Sequence, residues 1–206
     1  MPETGATMPP SLPPALPLFP LHTVLVPGAA LALRIFERRY LDLLRDYGRS
    51  GSGFGVCLIL EGHEAGAPAM PAAFGCEAVI EDFDTTPDGL LSLRVRGQRR
   101  FHVLRTRVRD SGLVVADVAW CEDNAVASAR LRPEHALLAD VLRQILAQVG
   151  AGGREPAPGL FEDAAWVGWR LAELLPLSLP QRQALLQFDD PHLRLQRLLD
   201  HIGETG

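Results

Sequence analysis

The sequence predicts an α+β fold in which a compact sheet or barrel is followed by helices, and three observations carry that prediction. From Pro14 to about Trp120, short apolar or alternating runs are separated by turn residues: "ALPLF", "ALALRIF", "FGVCLIL", "GCEAVIEDF", "LLSLRV", "RRFHVLRTRV" and "LVVADVAW". Such runs are what strands with a buried face require. After Trp120 the apolar spacing becomes helical, with Leu137, Leu138, Val141, Leu142, Ile145 and Leu146 on one stripe. Between two of the runs, "TPDGL" places Pro87, Asp88 and Gly89 where a tight reversal needs a fixed φ and then a residue tolerant of positive φ, which predicts a β-hairpin.

Taken in order, residues 1–13 are rich in Pro, Thr and Ser with little to bury and read as a loose tail. Pro20, Pro27 and Gly28 suit a fixed loop between the first two strands. One helix interrupts the strands, because Phe36, Tyr40, Leu41, Leu44 and Tyr47 repeat at helical spacing and Gly48 supplies a stop. Pro133 opens the first helix of the second half. "VGAGGREPAPG" is a connection, and a further helix spans Asp163 to Leu174. Ser178 with Gln181 three residues on forms a capping box, and Asp190 with Pro191 opens a last helix that ends before Gly203. The implied organisation is a tail (1–13), a strand-rich unit with one helix (14–122) and a helical unit (123–206).

The 206 residues are 47% hydrophobic and 22% charged, a composition that folds. No apolar run reaches the roughly 18 residues of a membrane helix, and the N-terminus lacks a basic start with an apolar core, so the chain reads as cytoplasmic. A net charge of -5 disfavours a protein that works by neutralising phosphates. All 20 basic residues are Arg. Without lysine the chain itself cannot run P-loop ATP hydrolysis, a Schiff base or a Ser-Lys dyad. Cys57, Cys76 and Cys121 are widely spaced and odd in number, which suits buried thiols rather than a disulfide framework or a zinc knuckle.

The segment "LPLFPLHTVLVPG" (Leu16 to Gly28) followed by "LRIFERRYLDLL" (Leu33 to Leu44) resembles the N-terminal substrate-binding domain of Lon-type proteases. "FGVCLI" (Phe54 to Ile59), "GHEAG" (Gly62 to Gly66) and "DGLLSLRVRGQRRFHVL" (Asp88 to Leu104) keep that family's order and spacing, and "LLPLSLPQRQALLQFDDPHLRLQRLL" resembles its closing helical segment. The resemblance covers about Pro14 to Ile202. It implies a PUA-like β-barrel followed by a C-terminal α-helical bundle, and a role in recognising unfolded or degron-bearing polypeptide. In Lon proteases an ATPase and a Ser-Lys protease module follow that domain. Neither is expected in this chain, so the resemblance implies a stand-alone, non-catalytic binding domain in protein quality control, with extended polypeptide and a protease or chaperone as partners and no cofactor.

Phe36, Glu37, Arg39 and Tyr40 form the densest aromatic and charged cluster of the matched motif and are the candidate peptide-binding residues, since an aromatic face flanked by charge can grip an extended chain. Against this, Phe36 and Tyr40 suit anchors of the helix. The strand edges around "LPLFP" offer a second route to binding by strand pairing. Seven arginines from Arg94 to Arg109 invite an RNA reading, the alternative function. Glu77, Glu81, Asp82, Asp84 and Asp88 are expected to offset them across the sheet. The six histidines lack HExxH spacing, so no metal site is expected. Cys57 near His63 and Glu64 has the residue types of a thiol nucleophile, but "FGVCLIL" reads as a buried strand. Trp120, Trp166 and Trp169 suit either an aromatic cage or packing, with Trp166 and Trp169 docking near Trp120.

Overall fold

A computed structural model of the chain describes residues 15–50, 53–121, 130–149 and 156–205. Six strands form one mixed sheet: β1 (Ala15–Leu21), β2 (Ala30–Ile35), β3 (Phe54–Glu61), β4 (Met70–Thr85), β5 (Leu91–Val108) and β6 (Val114–Trp120). Helix α1 (Arg38–Ser50) lies between β2 and β3, and α2 (Ala136–Val149), α3 (Ala164–Leu174), α4 (Leu179–Leu185) and α5 (Pro191–Thr205) follow the sheet. The strand order is β2-β5-β4-β3-β1-β6, with a further β5–β6 pairing. The expected helix after β2 is present, but it starts at Arg38 and runs past Gly48. The last helix likewise runs past Gly203, because a glycine costs a helix only about 1 kcal/mol and terminal turns tolerate it. The expected boundary at 122/123 lies outside the described residues.

The two longest strands organise the rest. β4 and β5 form a hairpin closed at Thr86–Leu90, where Thr86 N donates to Leu90 O at 2.8 Å and Gly89 takes φ +81°. The turn expected at "TPDGL" is therefore present. β5 pairs with β4 on one edge (Leu91 to His102). Its other edge is divided: Leu91 to Arg96 bond β2, and Phe101 to Val108 bond β6. Register shifts at Cys76/Ala78, Ile80/Asp82 and Val103/Arg105 bend these strands so that both partners fit. β2 has no second neighbour among the described residues.

Segment "LPLFP" differs from expectation. It is β1, lying between β3 (parallel) and β6 (antiparallel), with Leu16, Leu18 and Phe19 buried. Pro20 is a strand residue opposite Cys57, not part of the following loop. That loop crosses β5 at Gly97. Gly28 N donates to Gly97 O and Gly97 N to Ala29 O, both at 2.9 Å, and a Cβ on residue 97 would sit 2.3 Å from Val26 O.

The larger core cluster is continuous from the sheet into the helices, from Phe19, Leu33 and Val56 to Leu142, Trp169 and Leu195. A smaller one, with Leu18, Cys57, Phe101 and Val118, lies elsewhere on the sheet. Asp163, read from the sequence as the first residue of a helix, is instead the N-cap of α3, its Oδ1 accepting from Ala165 N and Trp166 N, and Ser178 with Gln181 forms the expected capping box. Pro133 opens a 3₁₀ turn (Pro133–His135) that leads into α2. Fully buried Arg100 of β5 reaches the helices, donating to Leu186 O at 2.7 Å and Asp189 Oδ1 at 2.9 Å. Gln183 Nε2 donates back to Phe74 O at 2.8 Å.

Gly97→Ala is expected to lower stability by about 2 kcal/mol or more, since the added methyl meets backbone that cannot step aside. Gly159→Ala, with open space around it, should be neutral within about 0.5 kcal/mol. Urea midpoints of the two variants check this, and equal midpoints would contradict the packing described.

Candidate functional site

The motif "IFERRY" turns the chain from β2 into α1, and its members go to different places. Tyr40 is buried and stacks on Phe19 at 3.8 Å between ring centroids, and burial pushes its phenol up to about 12. Glu37 O accepts from Tyr40 N at 3.1 Å, starting the helix. Arg39, only 6% exposed, works as a clamp. Its Nη2 donates to Glu37 Oε1 at 2.9 Å and Glu64 O at 3.0 Å, and its Nη1 to Gly66 O at 3.1 Å and Gly112 O at 3.4 Å. A guanidinium suits this role because its planar fork serves several acceptors from one position. Motifs "FERRY" and "GHEAG", far apart in sequence, are therefore one structural unit. Glu64 Oε1 adds a bond from His22 N at 2.7 Å.

Held in this way, Phe36 projects into solvent with 58% of its surface exposed. It borders a cleft of about 320 Å³ lined by Phe19, Leu21, Leu33, Tyr40 and Glu64. A second hollow of about 360 Å³ is lined by Ala30, Ala32, Ser92 and Arg94 with Asp82, Phe83 and Asp84. Leu31 and Ala32 of β2 line both. Along β2 the side chains alternate, with Leu33 and Ile35 buried and Ala30, Ala32 and Arg34 exposed. The cleft beside Phe36 lies by the unpaired edge of β2, whereas the second hollow spreads over β2, β5 and β4 on the paired side of that strand. Of the four candidate residues, Phe36 is at the surface, Arg39 and Tyr40 are buried beneath it, and Glu37 is the partner of Arg39.

The model of the ATP-dependent protease La (LON) substrate-binding domain matches residues 15–204. The chain belongs to the LON substrate-binding domain family. A crystal structure of a Lon N-terminal domain protein from Xanthomonas campestris is 59% identical over 91% of this chain and 98% of its own, with a TM-score of 0.77. The N-terminal domain of the Lon protease of the Mycobacterium avium complex shares the fold at 18% identity, covering 91% of this chain and 97% of its own, with a TM-score of 0.61.

In this LON domain the arginine run of β5 is largely spent on carboxylates. Arg96 binds Glu81, with Nη2 to Oε2 at 3.1 Å, and holds that carboxyl below its usual value; Arg94 lies 3.7 Å from it. Arg99 pairs with Glu77 at 2.7 Å and lies over the Trp120 ring at 3.5 Å. Arg107 pairs with Asp117 at 3.0 Å, and Arg100 is buried against Asp189. Of the five carboxylates expected to offset the run, Glu77 and Glu81 do so, while Asp82 and Asp84 form no ion pair with it among the described residues. Asp117 and Asp189 are additional partners that sequence spacing did not indicate. Asp88 pairs instead with Arg34 at 2.8 Å.

Cys57 is buried against Leu18 and Phe101, and burial pushes its thiol up, away from the thiolate a nucleophile needs. Among the described residues no group of three or more His, Cys, Asp or Glu could hold a metal ion. No helix among them is long and apolar enough to cross a membrane. The tryptophans do not converge. Trp120 meets Phe101 edge-on, Trp166 meets Phe161, and Trp169 is covered by the Arg194 guanidinium at 3.5 Å.

Sequence spacing also missed a histidine pair. His135, at the turn before α2, and His192, at the start of α5, are both buried with Nδ1 atoms 3.4 Å apart and ring planes within 17°. Burial first, then Arg132 and His135, hold the His192 imidazole below its usual value, against the opposing pull of Asp190 and Glu134. The unfolded histidine takes its proton near pH 6.5 and the folded one only at lower pH, so stability present above that value is lost as pH falls. The urea midpoint should therefore drop from about pH 7.5 to about pH 5.5, and His192→Gln should flatten part of that slope. An unchanged slope in the variant would contradict this.

Proposed function

We propose that this LON domain is a non-catalytic recognition module for extended or partly unfolded polypeptide, acting in the cytoplasm and passing its clients to separate proteolytic or quality-control machinery. The observation that carries this reading is the apolar cleft beside the exposed Phe36, open at a strand edge with no neighbour among the described residues. Family membership supports it, because the matched domain is named for substrate binding. Unpaired backbone donors and acceptors serve any sequence, and an aromatic side chain at the rim supplies affinity without a demanding shape. The buried Cys57 and the absence of lysine agree with contact without chemistry. The pairings of β5 and β1 with β6 support reading the sheet as a PUA-like barrel, and the packing of α3 on α2 and α5 supports a bundle behind it.

Within this proposal Phe36 touches the client, while Glu37, Arg39 and Tyr40 position it. Fluorescence anisotropy against a panel of unrelated extended peptides should give micromolar binding that Phe36→Ala weakens about tenfold, a loss of about 1.4 kcal/mol. Its circular dichroism and melting temperature should match the parent. Tyr40→Ala should instead lower the melting temperature, because it leaves a cavity against Phe19. Peptide affinity unchanged in a folded Phe36→Ala variant would overturn the assignment.

A further inference from the structure

We infer that His135 and His192 form a two-nitrogen site for a soft monovalent metal ion, Cu(I), which fastens the entry of α2 to the start of α5. Their Nδ1 atoms are 3.4 Å apart, with ring planes within 17°. That gap is longer than a good hydrogen bond from a nitrogen donor, which spans about 2.7–3.2 Å. It is the gap between two ligands of one ion, because metal–imidazole bonds of about 2 Å meeting at about 115° place their nitrogens this far apart. The ring centroids stand 5.5 Å apart, farther than the nitrogens by nearly two ring radii, so both Nδ1 lone pairs lean into the space between the rings.

The surroundings favour a neutral ligand pair and a single positive charge. Both rings are buried, at 3% and 4% exposure, and burial holds His192 in the uncharged form that a metal requires. His135 Nε2 is buried with no hydrogen-bond partner among the described residues, so nothing on that side fixes the tautomer and Nδ1 is free to offer its lone pair. The charged groups facing His192 are Arg132 and Glu134 from the turn before α2 and Asp190 from the start of α5. Two carboxylates against one guanidinium leave a balance that one positive charge satisfies. A divalent ion with no anionic ligand would be buried there at greater cost. Among the described residues no third His, Cys, Asp or Glu joins the pair to complete a metal site. Zinc, which takes four ligands in a structural site, is therefore poorly served, whereas monovalent copper accepts two or three and suits imidazole.

The test titrates the full chain, kept under reductant and without oxygen, with Cu(I) held by a colorimetric chelator. One ion per chain should bind, and X-ray absorption should show a first shell of nitrogen at about 2 Å. His135→Gln and His192→Gln should each weaken binding about a hundredfold. Cys121→Ser, which removes the half-buried thiol, should leave it unchanged. Cu(I) should also raise the urea midpoint of the parent but not of the histidine variants, whose folding is checked by circular dichroism. No binding, a first shell of sulfur, or unchanged affinity in both folded histidine variants would overturn the site. If neither variant folds, the nitrogen or sulfur shell of the parent decides alone. Zn(II) held by the same pair as tightly as Cu(I) would overturn the monovalent assignment.

Discussion

The sharing of one edge of β5 by two strands is the constraint on which the molecule depends. β4 occupies the whole opposite edge as far as His102, so β2 and β6 divide what is left, one beside Leu91 to Arg96 and the other beside Phe101 to Val108. β6 goes on to pair with β1, whereas β2 has a single neighbour among the described residues. A strand edge left open in this way is a liability in most proteins, because it recruits other strands. Here the edge carries two alanines, an apolar cleft and, just beyond its end, a projecting phenylalanine. These features suit the chain-receiving role proposed for the edge.

Buried arginines keep that edge in place. Arg39 gathers carbonyls of Glu64, Gly66 and Gly112 around the base of α1, which sets Phe36 at the rim. Arg100 does the corresponding work between sheet and helices, and Arg194 packs between Trp169 and Phe188 O. Burying a guanidinium is costly unless hydrogen bonds offset the lost water, and carbonyls at strand and helix ends offer acceptors without adding charge. In a chain whose cations are all arginine, this residue does structural work that a lysine, with one compact charge, would do less well.

The sequence was most legible where the signal is local. The hairpin at Gly89, the capping box at Ser178 and the helix start at Asp190 and Pro191 need only neighbouring residues, and each is where its signature placed it. The motif resemblance was legible too, and Gly97 against Val26 and Arg39 against Gly66 give physical reasons for two pieces of it. What was hidden depends on long-range pairing. Nothing in "ALALRI" says that it has one neighbour while "LPLFP" has two, so the open edge was sought on the wrong strand. Arg39 looks like any residue of an exposed helical turn, and Arg100 like any member of an arginine run. Asp189 and the His135–His192 contact are separated from their partners by tens of residues, beyond the reach of any spacing rule.

In the proposed function, unfolded polypeptide is received at the rim of β2 and not on the helices. Site-specific photocrosslinking tests it most directly, with a benzophenone side chain placed in turn at Phe36, Leu137 and Leu193, three apolar positions of similar exposure at 58%, 60% and 56%. Irradiation with a permanently unfolded, labelled protein should give adducts at position 36 and little at the two helical positions. Equal or greater yield at positions 137 and 193 would contradict the account, since apolar exposure alone would then explain the contact.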